Sequence, residues 1–110
     1  MTRIELTHLN GGCVLECRGH AGYAPPGRDI VCAGISALCI ALAARLETLA
    51  DEGVLRIEQQ HVSDGEYCVE AAFAEDGCAR LIAESALETA AGGFRALAEL
   101  YPAYVAMEEN

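Results

Sequence analysis

His20 and Cys32 stand 12 positions apart in the stretch Gly19-His20-Ala21-Gly22-Tyr23-Ala24-Pro25-Pro26-Gly27-Arg28-Asp29-Ile30-Val31-Cys32. An imidazole on a loop thus precedes a thiol on what reads as the first turn of a helix. Unpaired N–H groups in a first helical turn, together with the positive end of the helix dipole, favour thiolate over thiol. A neighbouring histidine strengthens that preference. If the loop folds back, His20 takes the thiol proton or holds the thiolate as an ion pair, and later protonates a leaving amine. The N–H groups around Cys32 itself are expected to form an oxyanion hole, because they converge where a tetrahedral intermediate carries its negative oxygen. Taken singly, His20 reads as an exposed or structural residue and Cys32 as a packed one; taken together they read as a base and its nucleophile.

The neighbours admit two roles each. Asp29, three residues before Cys32, either caps the N–H of residue 31 or 32 or orients His20. Ser36 lies one turn beyond Cys32 on the same helical face, where its hydroxyl can bond the nucleophile or a backbone carbonyl. Tyr23 lines a substrate groove or packs as a loop aromatic, and Arg28 steers substrate or is solvated. Gly19, Gly22 and Gly27, with Pro25 and Pro26, keep this segment out of any helix or central strand. The remaining cysteines offer no metal site. Cys13 and Cys17 share a strand face but are about 13 Å apart, and Cys32 and Cys39 are about 10 Å apart along one helix. There is no CxxC pair, and His8 and His61 have no partner at ligand spacing. Neither metal nor cofactor is expected; Cys13, Cys17, Cys39, Cys68 and Cys78 read as small core or strand residues.

The elements that must position this pair are readable from periodicity. Arg3 to Thr7 alternates Ile4 and Leu6 with polar residues, and Val14 to Arg18 continues strand-like after the turn cluster Asn10-Gly11-Gly12. Asp29 predicts the start of a helix from Ile30 to about Ala50, stopped by Gly53. Leu55 to Val62 and Glu66 to Phe73 flank the turn Ser63-Asp64-Gly65. A second helix is expected from about Asp76 or Gly77 to Leu100, with Gly92-Gly93 bending or fraying it and Pro102 preventing its continuation. A short extended tail follows. The expected fold is α+β: a four-stranded, mainly antiparallel sheet in β-β-α-β-β-α order with two helices packed on one face, forming a single domain over residues 1–110. Ile30, Val31, Ala33, Ile35, Ala37, Leu38, Ile40, Ala41, Leu42 and Ala43 leave the first helix almost no polar face. A helix apolar all round is covered all round, which predicts contact with the second helix and with a second subunit.

Composition narrows the partners. The chain has 110 residues, 53% of them hydrophobic and 5% aromatic, with no Trp. It therefore folds around a core of small aliphatic side chains. Its 17 acidic against 7 basic residues give a formal net charge of −10, which disfavours direct binding to nucleic acid and to anionic membranes. The same charge suits a basic protein partner, or simply keeps the chain soluble. The apolar run from Ile30 to Ala44, bracketed by Asp29 and Arg45, falls short of the ~20 residues a membrane helix needs. The absence of a signal-like start makes the six cysteines fit a reducing cytoplasm better than a disulfide framework.

At Gly19-His20-Ala21, Gly27, Asp29-Ile30-Val31-Cys32-Ala33 and Ser36, the sequence resembles the ribosomal-processing cysteine protease family, called Prp. The resemblance runs over nearly the whole chain, to the closing Tyr101-Pro102. It implies an endopeptidase that removes a short N-terminal extension from large-subunit ribosomal protein number twenty-seven during ribosome maturation. On that resemblance His20 and Cys32 are the catalytic pair, the glycine-rich loop moves when substrate binds, and the enzyme is a small cytoplasmic homodimer. The competing expectation is a non-catalytic assembly factor that holds a basic ribosomal protein, with Cys32 inert.

Overall fold

Ile4 and Leu6 point to one side of β1 (Thr2–Leu9) and Arg3 and Glu5 to the other, an alternation that buries one sheet face in the computed structural model of residues 1–110. Asn10 and Gly11 turn the chain into β2 (Gly12–Arg18), with Gly11 at φ +89° and Leu9 opposite Gly12. Then follow α1 (Ile30–Asp51), β3 (Leu55–Ser63), β4 (Glu66–Phe73), α2 (Gly77–Leu100) and β5 (Val105–Glu109). Both helices begin on an aspartate: Asp29 accepts the Cys32 amide and Asp76 the Ala79 amide, each at 2.9 Å. Each cap satisfies one of the donors a helix start leaves unpaired.

The sheet has five strands, not four, and it is mixed. Its order is β3-β4-β2-β1-β5, with β5 parallel to β1 and every other pairing antiparallel. The expected tail is thus a strand that closes the otherwise open edge of β1, with α2 as its crossover. It is fastened at both ends. Thr2 donates its amide to the Tyr104 carbonyl at 2.9 Å, and Arg95 on α2 grips Glu109 through Nε (2.9 Å) and Nη2 (2.7 Å).

One face of the sheet, carrying Ile4, Leu6, Leu15, Cys17, Tyr67, Val69 and Val105, meets Val31, Ile35, Leu42, Leu46 and Leu49 of α1 and Leu87 and Phe94 of α2 in a single core. Cys13, Cys17 and Cys39 join that core and Cys68 is buried outside it, whereas Cys78 is exposed in the first turn of α2, not packed as expected. The helices run antiparallel, with Gly34 against Leu97 and Leu38 against Gly93. The glycine pair does not break α2, which continues unbroken to Leu100. Gly93 is instead a contact point: a Cβ there would lie 2.7 Å from Leu38 Cδ2.

The length argument against a membrane span also needs correcting. At 22 residues, α1 is long and apolar enough to cross a bilayer by length and composition. Its Val31-Ile35-Cys39-Leu42-Leu46-Leu49 stripe is buried in the protein core instead.

Candidate active site

The loop that carries the histidine leaves the sheet at Gly19. Its φ of +93° and its closeness to Met1, whose carbonyl oxygen would lie 2.6 Å from a Cβ there, both call for glycine. The Gly19 amide donates to the Gly65 carbonyl at 2.8 Å, tying the loop to the β3–β4 turn. His20 follows directly, and the buried Ala21 anchors the chain behind it. Gly22 (φ +72°) and Gly27 (φ +86°) supply two further reversals before α1.

Asp29 binds this loop to the helix. Its Oδ1 accepts the Cys32 amide, while Oδ2 accepts the amides of Tyr23 at 2.9 Å and Ala24 at 3.3 Å. These N–H groups, that of Cys32 foremost, hold the carboxyl pKa below its ordinary value. Of the two roles open to Asp29, capping is the one made; it has no hydrogen bond to His20. The Cys32 N–H is therefore already taken, and it does not stand free as the oxyanion donor expected from its position in the first turn.

Cys32 is half-buried and Ser36 exposed. Both line two cavities, and His20 lines the same two. The smaller, of about 160 Å³, runs under the helix to Cys17, Cys39 and Tyr67. The larger, of about 720 Å³, opens along the loop past Gly22, Gly27, Arg28 and Asp29. Cys32 and His20 thus sit where the small slot meets the larger groove, with no hydrogen bond between them. Ser36 makes no hydrogen bond to a backbone carbonyl, so its hydroxyl is free toward the cavities. On the floor of the slot the Cys17 thiol, and then burial, push Cys39 well above the usual thiol range; burial likewise raises Tyr67. These groups stay neutral.

Not every loop residue faces the groove. Gly22, Gly27 and Arg28 line it and Gly19 lines the slot, but Tyr23 turns away. Its ring stands edge-to-face against Tyr101 (5.6 Å) and Tyr104 (5.2 Å) and fixes the loop to the segment before β5. Two residues at the site carry no sequence signal beyond that of a turn. Asp64 lines both cavities, and Gly65 lies against the His20 ring.

Residues 1–106 match the sequence model of the family described as cysteine protease Prp. No curated protein sequence matches the chain. Among solved structures, an essential ribosomal processing protease Prp from S. aureus, in complex with a covalently linked product peptide, superposes with a TM-score of 0.76 at 22% identity, covering 100% of both chains. The same S. aureus protease with a substrate peptide gives 0.70 at 21% identity, again over 100% of both chains. A Streptococcus mutans protein gives 0.71 at 28% identity over 99% of this chain and 93% of its own.

Proposed function

This chain belongs to the cysteine protease Prp family, and from that membership we propose that it is the endopeptidase that trims the N-terminal extension of large-subunit ribosomal protein number twenty-seven, with Cys32 as nucleophile and His20 as general base and acid. The observation that carries the assignment of roles is that these two side chains, from separate elements, line the same two cavities. A peptide laid along the open groove brings a backbone carbonyl to the thiol, and the slot can take one of its side chains.

The chemistry follows from those positions. The Cys32 thiolate attacks the scissile carbonyl carbon, the S–C bond forms and the carbonyl electrons move to oxygen. When the tetrahedral species collapses, the C–N bond breaks and the imidazolium of His20 gives its proton to the departing amine. Water, deprotonated by His20, then attacks the thioester, the S–C bond breaks and the thiolate returns. Because Asp29 occupies the Cys32 amide, the oxyanion must draw on other donors. The loop amide of Ala24, which lines the groove, becomes available once Asp29 releases it.

The acidic surface supports a basic substrate, since opposite charge speeds encounter. We also propose a homodimer. Between the helices lies an open, mostly apolar groove flanked by Leu38, Ala41, Leu81 and Ile82, with Leu81 67% exposed and Ile82 44%. A second copy would cover it, and sedimentation as a monomer at micromolar concentration would reject this. Six cysteines without a disulfide suit a reducing cytoplasm.

The test is incubation with the host's own ribosomal protein and weighing of the products by mass spectrometry. Wild type is expected to release one N-terminal peptide, and Cys32→Ala and His20→Ala none. Cleavage at wild-type rate by either variant refutes the assigned roles.

A further inference from the structure

The β3–β4 turn reaches the site, yet the chemistry above gives it no part. Ser63 pairs with Glu66, so Asp64 and Gly65 form a two-residue turn, with Gly65 at φ +71°. The turn holds the histidine segment by its main chain through the 2.8 Å bond from the Gly19 amide to the Gly65 carbonyl. It also carries the ring. A Cβ on Gly65 would fall 2.7 Å from His20 Nε2 and 3.0 Å from Cε1, so the edge of the imidazole rests where only glycine leaves room. The residue next to that glycine is a carboxylate. Asp64 lines both cavities that His20 and Cys32 line, and no other carboxylate does so: Glu66 reaches only the slot and Asp29 only the groove.

We propose that Asp64 is the positioning residue for His20, its carboxylate favouring the imidazolium that pairs with the Cys32 thiolate. The inference rests on the reading of His20 and Cys32 as the catalytic pair. The competing charges around the cavities do not substitute for it. Asp29 is committed to backbone amides, and Arg28, as a cation on the groove wall, opposes the imidazolium. Cys17, Cys39 and Tyr67 on the slot floor are buried. Asp64 itself is exposed and has no hydrogen bond or ion pair, with His20 or with any other residue, so its charge is uncommitted. Such a charge acts through solvent, and its influence shrinks as salt rises.

Asp64→Asn removes the charge while keeping the shape and a residue type turns accept. The first measurement is the ring-proton titration of His20 by NMR in a Cys32→Ser background, where no thiol titrates against it. Asp64→Asn is expected to lower the midpoint at low ionic strength, less so in 0.5 M salt, and Asp64→Glu to restore it. The second is the rate at which iodoacetamide alkylates Cys32 at pH 7, read by peptide mass spectrometry with Cys32 native. Asp64→Asn should slow it severalfold. An unmoved midpoint overturns the proposal, as does slower alkylation with an unmoved midpoint, which would mark a purely structural turn. If instead His20→Ala leaves the alkylation of Cys32 unchanged, the catalytic pair is what fails, while the titration still decides whether Asp64 acts on His20.

Discussion

The Asp29 carboxylate accepts the Cys32 amide at 2.9 Å. Its other oxygen holds the amides of Tyr23 and Ala24, so one side chain joins the start of α1 to the loop that carries His20. Asn can replace Asp as a helix cap, but its NH2 would face the Tyr23 and Ala24 donors. Asp29→Asn is therefore expected to keep the helix start and free the loop, with amide exchange rising at Tyr23 and Ala24 but not at Cys32. Acid should do the same to wild type. The carboxyl pKa is lower in the folded protein than in the unfolded chain. Its contribution is thus complete above the ordinary Asp value of about 3.9 and is lost as pH falls through the lower folded value. The Tm gap between wild type and Asp29→Asn should stay constant near neutrality and close in strong acid. A gap that persists at pH 2 would show that the charge does not hold the loop.

Cys78 provides an internal reference for Cys32. Both lie in the first turn of a helix behind a capping aspartate, and Cys78 is the more exposed. Accessibility and the helix end alone would make Cys78 react faster. The proposed activation by His20 would reverse the order: at pH 6.5, iodoacetamide should label Cys32 at least about tenfold faster than Cys78. His20→Ala should erase that advantage. Equal labelling in wild type would leave Cys32 an ordinary thiol.

The parts of the site written in contiguous sequence are legible without coordinates. Asp29, three residues before Cys32, and the glycines at 19, 22 and 27 specify a cap and a loop by local rules, and Gly53 stops α1 as expected. What depends on chain segments meeting in space is not. Val105 to Glu109 is too short and too acidic at its end to read as a strand; it becomes one because β1 has an edge to fill and Arg95 waits for Glu109. Asp64 and Gly65 read as a turn, and they are one. The contact of Gly65 with His20 arises only because β4 pairs with β2, whose end carries the histidine. The spent Cys32 N–H has a local origin instead: a cap that is easy to foresee consumes a donor that first-turn position alone suggests is free.

Tyr23 shows how the loop is held at its middle. Edge-to-face aromatic pairs contribute about 0.5–1.5 kcal/mol each beyond area, and this ring makes two, with Tyr101 and Tyr104. Its hydroxyl has no hydrogen bond, so Tyr23→Phe should leave the urea midpoint where it is. Tyr23→Ala should cost about 1–2 kcal/mol and speed limited proteolysis between Gly22 and Gly27. If alanine is harmless, the aromatic contacts do not hold the middle of the loop.

The adjacent glycines of α2 should answer substitution in opposite directions. Gly92 is exposed, with no atom within 4 Å of a built Cβ, so Gly92→Ala meets nothing and gains helix propensity. Its expected stabilisation is about 0.5–1 kcal/mol. Gly93 faces Leu38 across the helix pair, and a Cβ there would approach Leu38 Cδ2 and Cδ1 to 2.7 and 2.8 Å. Alanine asks only the tip of Leu38 to move, whereas leucine at this site must push the helices apart. Gly93→Leu should therefore cost about 1–3 kcal/mol through overpacking, beyond what better helix propensity returns. Urea unfolding of the two variants beside wild type gives the answer as midpoints shifted up and down. Because Leu38 sits between the core stripe of α1 and the groove proposed to receive a second copy, the leucine variant should also weaken self-association. A Gly93→Leu protein as stable as wild type would mean that α1 and α2 are not in close contact at this point.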